Sequence, residues 1–411
     1  MKNKQTPFFR EKVGFYGKSQ GIVIFLLMLI LFANSFYLGF RYYEISTLRS
    51  EDRSLQVQKI AVIKKLLEDN YLFSEKVSPE KMFDGAIDGM VYSMGDPYTR
   101  YVSYREYENF RIETEGRFGG IGVTVDTNKN NKGIKIVSTM EGQGAELAGI
   151  KPDDTITAVD GKPINGMAVE DAIALIRGEI GTNVILTIER DGELIEVIVE
   201  RQSVELPAIQ HFMLEDNIGV IRYNNFTRVS IDQFDKAYKE LEKKDLKYLI
   251  LDLRDNPGGL VESSVEIASR FMEEDLKVVE IENKKFATSI NSVKTEYKID
   301  VPTIILVNER TASASEILAA ALKDYELATI IGTQTYGKGL VQETIPIDDK
   351  SALIVTVSQY LTPNGNNIQT NGIVPDIEVE IDSEDLLKGI DTQLNTALEH
   401  IKSLSNGDKN D

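Results

Sequence analysis

Gly21 to Phe40 is an uncharged apolar run, "GIVIFLLMLILFANSFYLGF", long enough for one membrane-spanning helix. After it the apolar positions become sparse and periodic. Between Ile45 and Asp69, Leu55, Ile60, Ile63, Leu66 and Leu67 recur at helical spacing among charges, and Ser78 to Met94 repeats that style, so both stretches predict amphipathic helices. The turn-rich "GDPYTRYVS", Gly95 to Ser103, closes this part and reads as a linker. From Arg117 the pattern shortens to strands, "RFGGIGVTVD", "GIKIVST", "DTITAVDG", "NVILTIERDG" and "ELIEVIVER", parted by glycine and Asp-Gly turns and one helix, "AVEDAIALIRG". From Ser203 apolar strands alternate with helical patterns, which predicts a mixed α/β domain with strands buried on both faces. The expected layout is a tail at 1–20, an anchor at 21–40, a helical region at 41–104, a β domain at 105–201, an α/β core at 202–384 and a C-terminal helix with its tail at 385–411.

A length of 411 residues fits two or three domains, and 42% hydrophobic with 27% charged residues is a globular composition. The net charge of -19 argues against a nucleic-acid partner, and the absence of cysteine excludes a thiol nucleophile, a disulfide framework and a thiolate metal site. Lys2, Lys4, Arg10, Lys12 and Lys18 against a single Glu11 keep the N-terminus cytoplasmic and place everything after Phe40 outside. A cleaved signal peptide, with Ala33 and Ser35 as its small residues, is the competing reading, but the apolar run exceeds a typical signal core.

Two predicted strand ends carry candidate chemistry: "DLRDNPGGL" after the strand at Tyr248, and "NERTASASE" after the strand at Val301. Ser313 to Glu316 spells Ser-x-x-Glu before an apolar helix, which is a capping box and accounts for Ser313 without catalysis. The same position would suit a nucleophile, because a helix N-terminus favours a developing oxyanion. Neither histidine, His211 or His400, falls at a strand end of the core, so a serine-histidine triad is not expected. A lysine can serve as base where burial disfavours its ammonium form. Lys338, in "GTQTYGKGLVQ", is bracketed by Gly337 and Gly339; the phosphate-loop spacing fails there because no hydroxyl follows the lysine. Spacing alone leaves Lys338 open between a solvated loop lysine and a base.

"FGGIGV", Phe118 to Val123, resembles the carboxylate-binding loop of a PDZ domain, and Gly144 to Ile164 resembles the helix-turn-strand that follows it in bacterial proteases. "TASASEILAAAL", "GTQTYGKGLVQ", "DLRDNPGGL" and "GDPYTRY" together resemble the carboxyl-terminal processing (tail-specific) peptidases, over Lys59 to Ile381. That resemblance implies a multidomain α+β protein with a PDZ-like β domain and a crotonase-like α/β peptidase core. It implies Ser313 as nucleophile, Lys338 as base and Gln342 as the residue orienting it, one helical turn further on. Backbone N–H groups of Ala314 and of Gly258 or Gly259 would form the oxyanion hole, Asp324 would be structural, and Gly119, Gly120, Ile121, Gly122 and Val123 would hold a substrate C-terminus. No metal or cofactor is expected. The expected partners are protein tails with free C-termini, the membrane and a second copy of the chain. A catalytically silent PDZ scaffold is the alternative.

Overall fold

The computed structural model describes residues 55–126, 133–348 and 351–407. The predicted anchor at 21–40 lies outside them; among the described residues no helix is long and apolar enough to cross a membrane. The chain divides at Gly89/Met90 into two units. In the first, Leu55–Asn70 forms the helix its spacing predicts, leaving Ile60, Ile63, Leu66 and Leu67 exposed.

The α/β core of the second unit is a six-stranded sheet in the order Ile209–Met213, Ile218–Tyr223, Tyr248–Asp252, Thr303–Val307, Ala328–Gly332, Ile377–Glu378. The first pair is antiparallel and every later pair is parallel. Strands such as "TIILV" are buried at every position because both faces are covered. On one face Leu251 and Ile305 pack with Phe234, Ile267 and Leu318 from the helices Ser230–Glu242, Val261–Ser269 and Ala314–Asp324. On the other, Val220, Ile250, Ile304 and Leu306 pack with Ala397 and Ile401 of the helix Thr392–Gly407. The C-terminal helix therefore spends its apolar face on its own domain. His211 lies within the edge strand of this sheet, where its Nε2 pairs with Glu240 at 3.0 Å. It belongs to the core rather than preceding it, and it does not stand at a strand end.

The core carries a second sheet. Ser351–Leu361 pairs with Leu340–Asp348, Lys277–Asn283 and Arg100–Val102. "GDPYTRY" is thus no linker: Arg100 sits opposite Ile354, and the motif is built into the core.

The β domain is a five-strand path, Val123–Val125, Ile134–Thr139, Thr155–Val159, Asn183–Arg190, Glu193–Glu200, around buried Ile136, Ile156, Leu186 and Ile188. Val123–Val125 ends this path. Its outer edge is left without a strand partner among the described residues.

Candidate active site

Three parallel strands end on one side of the core sheet, and the loops that leave them meet. Open α/β sheets place their sites beyond such strand ends. The turn Asp255–Gly259 follows Tyr248–Asp252, the segment Asn308–Ser313 follows Thr303–Val307, and the loop Thr333–Gly339 follows Ala328–Gly332. Ser313, Lys338, Gln342, Gly258 and Gly259 line one cavity of about 550 Å³, together with Tyr98, Phe110, Val261, Leu340, Val341, Ile354 and Tyr360.

Ser313 caps the helix Ala314–Asp324 with φ 57 and ψ -119, a conformation that L-residues rarely adopt. A strained backbone is tolerated where its surroundings over-determine it, and here they do. Glu316, fully buried, accepts from the Ser313 N–H at 2.8 Å, the Thr335 hydroxyl at 2.5 Å, the Gly337 N–H at 2.8 Å and the Lys338 N–H at 3.0 Å. The capping-box glutamate therefore ties the serine loop to the lysine loop. Tyr360 adds a second tie, donating to the carbonyls of both Ser313 and Lys338. Neither bridge was readable from spacing: Glu316 looked sufficient as a cap, and Tyr360 comes from a distant strand.

Burial holds the Lys338 amine below its ordinary range, against the opposing pull of Glu316 and Asp96. Gly337 takes φ +83 where a side chain would meet the backbone of Thr370 and Gly372, so the Gly-Lys-Gly sequence serves close packing. Gln342 is not one helical turn from Lys338. Residues 340–348 form a strand with a register shift at Val341/Gln342, and the Gln342 amide donates to the Thr356 hydroxyl at 3.3 Å. Strand propensity in "LVQETIPI" prevailed over the helical spacing.

The glycine turn faces the serine closely. A Cβ on Gly258 would lie 2.7 Å from the Ser313 Cβ, and one on Gly259 would lie 2.1 Å from the Phe226 carbonyl oxygen. Asn256, fully buried, braces the turn by accepting the Gly258 N–H at 2.9 Å and donating to the Tyr223 carbonyl at 2.7 Å. Its own carbonyl accepts the Ala312 N–H at 3.0 Å and the Ser315 hydroxyl at 3.1 Å. The Gly258 N–H is thereby occupied. Those of Gly259 and Ala314 have no acceptor among the described residues. Asp324 ends the serine helix and accepts the Asn364 N–H at 2.9 Å, a structural position.

In the β domain, the carbonyls of Ile121 and Gly122 are taken by the Ala145 and Met140 N–H groups, each at 2.8 Å. The N–H groups of Ile121 and Gly122 have no acceptor among the described residues, and Gly122 has φ +71. Successive free donors of this kind suit a carboxylate. Gly119 and Gly120 belong to the strand Arg117–Gly120, which pairs with Gln202–Glu205; Val123 begins the edge strand. Arg177 is the C-cap residue of the helix Val169–Ile176, its backbone N–H donating to the Ile173 carbonyl at 3.0 Å, while the Arg201 side chain donates to the Ile176 carbonyl at 2.8 Å. The Arg177 guanidinium instead stacks 4.4 Å from the Phe118 ring centroid, with a buried Nε that lacks a partner.

A serine held at a helix N-terminus, a desolvated lysine in the same cleft and a glycine-looped β domain together define the class, a serine peptidase that carries a PDZ module. Comparison with known proteins specifies the family. The model of peptidase family S41 matches residues 217–379, that of the PDZ domain residues 109–189, and that of the activating protease CtpB N-terminal domain residues 36–105. The chain is 38% identical to the carboxy-terminal processing protease CtpA of Bacillus subtilis (strain 168), covering 75% of this chain and 66% of that protein. It is 37% identical to a probable CtpA-like serine protease of Staphylococcus haemolyticus (strain JCSC1435), covering 82% and 67%. Among solved structures, the photosystem II D1 C-terminal processing protease is similar at 29% identity and a TM-score of 0.44, over 76% of this chain and 86% of that one. The chain belongs to the S41 carboxy-terminal processing serine peptidases. It spans about two thirds of the length of the curated relatives it matches.

Proposed function

We propose that this protein is a membrane-anchored, extracytoplasmic serine endopeptidase that cleaves unstructured protein tails through a Ser313–Lys338 dyad. The observation that carries this reading is the shared cleft, lined both by a strained serine at a helix N-terminus and by a lysine whose burial favours the neutral amine. Neutral Lys338 accepts the Ser313 proton as the hydroxyl oxygen attacks the scissile carbonyl. The oxyanion is held by the N–H groups of Ala314 and Gly259, the two that remain unoccupied, while Gly258 shapes the turn. Lys338 returns its proton to the leaving amine, and water then releases the acyl group from Ser313. Gln342 acts on the lysine side of the cleft through the strand that follows it.

The substrate's C-terminal carboxylate is taken by the Ile121 and Gly122 donors, and its backbone adds to the edge strand Val123–Val125. Arg177, half-buried without an anionic partner among the described residues, links the loaded β domain to the peptidase core. The apolar run Gly21 to Phe40 and the basic residues before it support a single-pass anchor with the catalytic region outside the cytoplasm. The exposed apolar side chains of Leu55–Asn70 support a homodimer.

The decisive experiment follows cleavage of an unfolded protein with a free C-terminus by the detergent-solubilised chain, with Ser313→Ala and Lys338→Ala beside it. Cleavage that survives either substitution overturns the dyad, and inhibition by a chelator overturns a metal-free mechanism. A wild type that binds tails without cleaving them would instead establish the silent PDZ scaffold.

A further inference from the structure

The segment "GDPYT", Gly95 to Thr99, has no part in the dyad, yet it is fastened to the active site from both sides. Asp96 accepts the Tyr98 N–H at 3.0 Å and the Thr99 hydroxyl at 2.5 Å, closing a tight local turn. The Thr99 hydroxyl oxygen in turn accepts the Thr356 N–H at 3.1 Å, on the strand whose Thr356 hydroxyl receives the Gln342 amide. Arg100–Val102 continues from the turn as a strand on that same sheet. At its other end the Tyr98 hydroxyl lies against the side chains of Tyr336 and Gln369. Gln369 accepts the N–H of Gly339, the residue after Lys338, at 2.7 Å. Tyr98 is thus clamped between the lysine loop and the lysine's neighbouring sheet. Its ring centroid lies 5.0 Å from the Lys338 Nζ, on the wall of the catalytic cavity.

We propose that Tyr98 is a positioning residue for the proton transfer: its ring screens the Lys338 amine from bulk water and fixes the amine within the cleft. The proposal rests on Lys338 being the base. A ring in that place has two opposed effects. Removing water disfavours the ammonium, while the ring face attracts it. Burial is what holds the amine below its ordinary range, and the ring forms part of the wall that buries it. The other charged or titratable groups facing this space are Glu316 on the serine helix, Asp96 in the turn, Tyr336 in the lysine loop, Tyr360 on the neighbouring strand, and Arg100 and Glu113 on the cavity wall. Glu316 and Asp96 both favour the ammonium, which leaves the screening surfaces to oppose them.

The test is a pH titration of Tyr98→Ala, Tyr98→Leu and Tyr98→Phe in the full chain. Tyr98→Ala should move the acidic midpoint of kcat/KM upward by about one pH unit, a roughly tenfold loss of free amine below the midpoint, with most of the rate recovered at high pH. Tyr98→Phe and Tyr98→Leu, which keep an apolar cover, should leave the midpoint near that of the wild type. In the Ser313→Ala background, the pH dependence of Lys338 acetylation, read by peptide mass spectrometry, should show the same upward shift in Tyr98→Ala. This second readout needs no turnover, so it separates failure of the screen from failure of Lys338 as base. Tyr98→Val replaces the alanine variant if that chain does not fold. A uniform loss of rate with an unmoved midpoint, or a midpoint that moves downward, overturns the proposal.

Discussion

The molecule contains two glycine turns that offer backbone N–H groups to an anion, and they are built in opposite ways. The turn at Asn256–Gly259 is braced by a fully buried asparagine with five hydrogen bonds, and a side chain on Gly259 would strike a backbone carbonyl. The turn at Gly119–Gly122 is held by backbone hydrogen bonds and by the Ile121 side chain buried in the β-domain core, and opens onto a strand edge that has no strand partner among the described residues. In the proposed function the difference suits two separate tasks. Donors that stabilise a short-lived charge gain most when they need not reorganise, whereas donors that read a chain end must admit many sequences. In the proposed function, rigidity lies where charge would develop and the open edge where a peptide would enter.

The largest effects should come from the catalytic side. Ser313→Ala and Lys338→Ala should each reduce turnover to background, and the double variant should be no worse, because the pair acts as a unit. Ser313→Gly should be equally inactive yet more stable than Ser313→Ala by about 1 to 2 kcal/mol in denaturant melts, since glycine adopts φ 57 without strain. Equal stability of the two variants would remove the strain argument. Gly259→Ala should lower kcat about 10² to 10³-fold on any substrate, a short ester included.

Gly122→Val should break the comparison from its other side: KM for free-acid tails should rise about tenfold while ester hydrolysis persists, and C-terminal amidation of the peptide should reproduce that loss. Equal cleavage of amidated and free-acid peptides by the wild type would remove the delivery role of the β domain. An unchanged free-acid rate in Arg177→Ala would remove that residue as the link.

Smaller effects belong to stability. Because burial lowers the folded-state pKa of Lys338, the unfolded chain binds a proton that the folded chain lacks between that lowered value and the ordinary 10.5. Stability from this group therefore rises with pH across that window. Lys338→Met should show a higher Tm than the wild type at neutral pH, with the gain fading as pH passes 10.5. A gain that grows with pH would contradict a buried amine. Ser315→Ala should keep most activity and lose about 1 kcal/mol, the hydrogen bond to the Asn256 carbonyl.

The order of elements in the β domain and the core and the glycine loop were legible along the chain, because apolar periodicity and turn residues are local signals, whereas roles for "SASE" and "YGKG" came only from the family resemblance. That a serine capping a helix and a lysine between two glycines share one cleft was not, since each had a sufficient local explanation. The strand at 340–348, the use of "GDPYT" as a wall rather than a linker, and the bridges made by Glu316 and Tyr360 depend on partners far away in sequence. The sequence by itself determined which residues could do chemistry. Tertiary structure alone decided which of them are desolvated together: burial and hydrogen-bond pairing are properties of the assembled sheets, and no spacing within one segment encodes them.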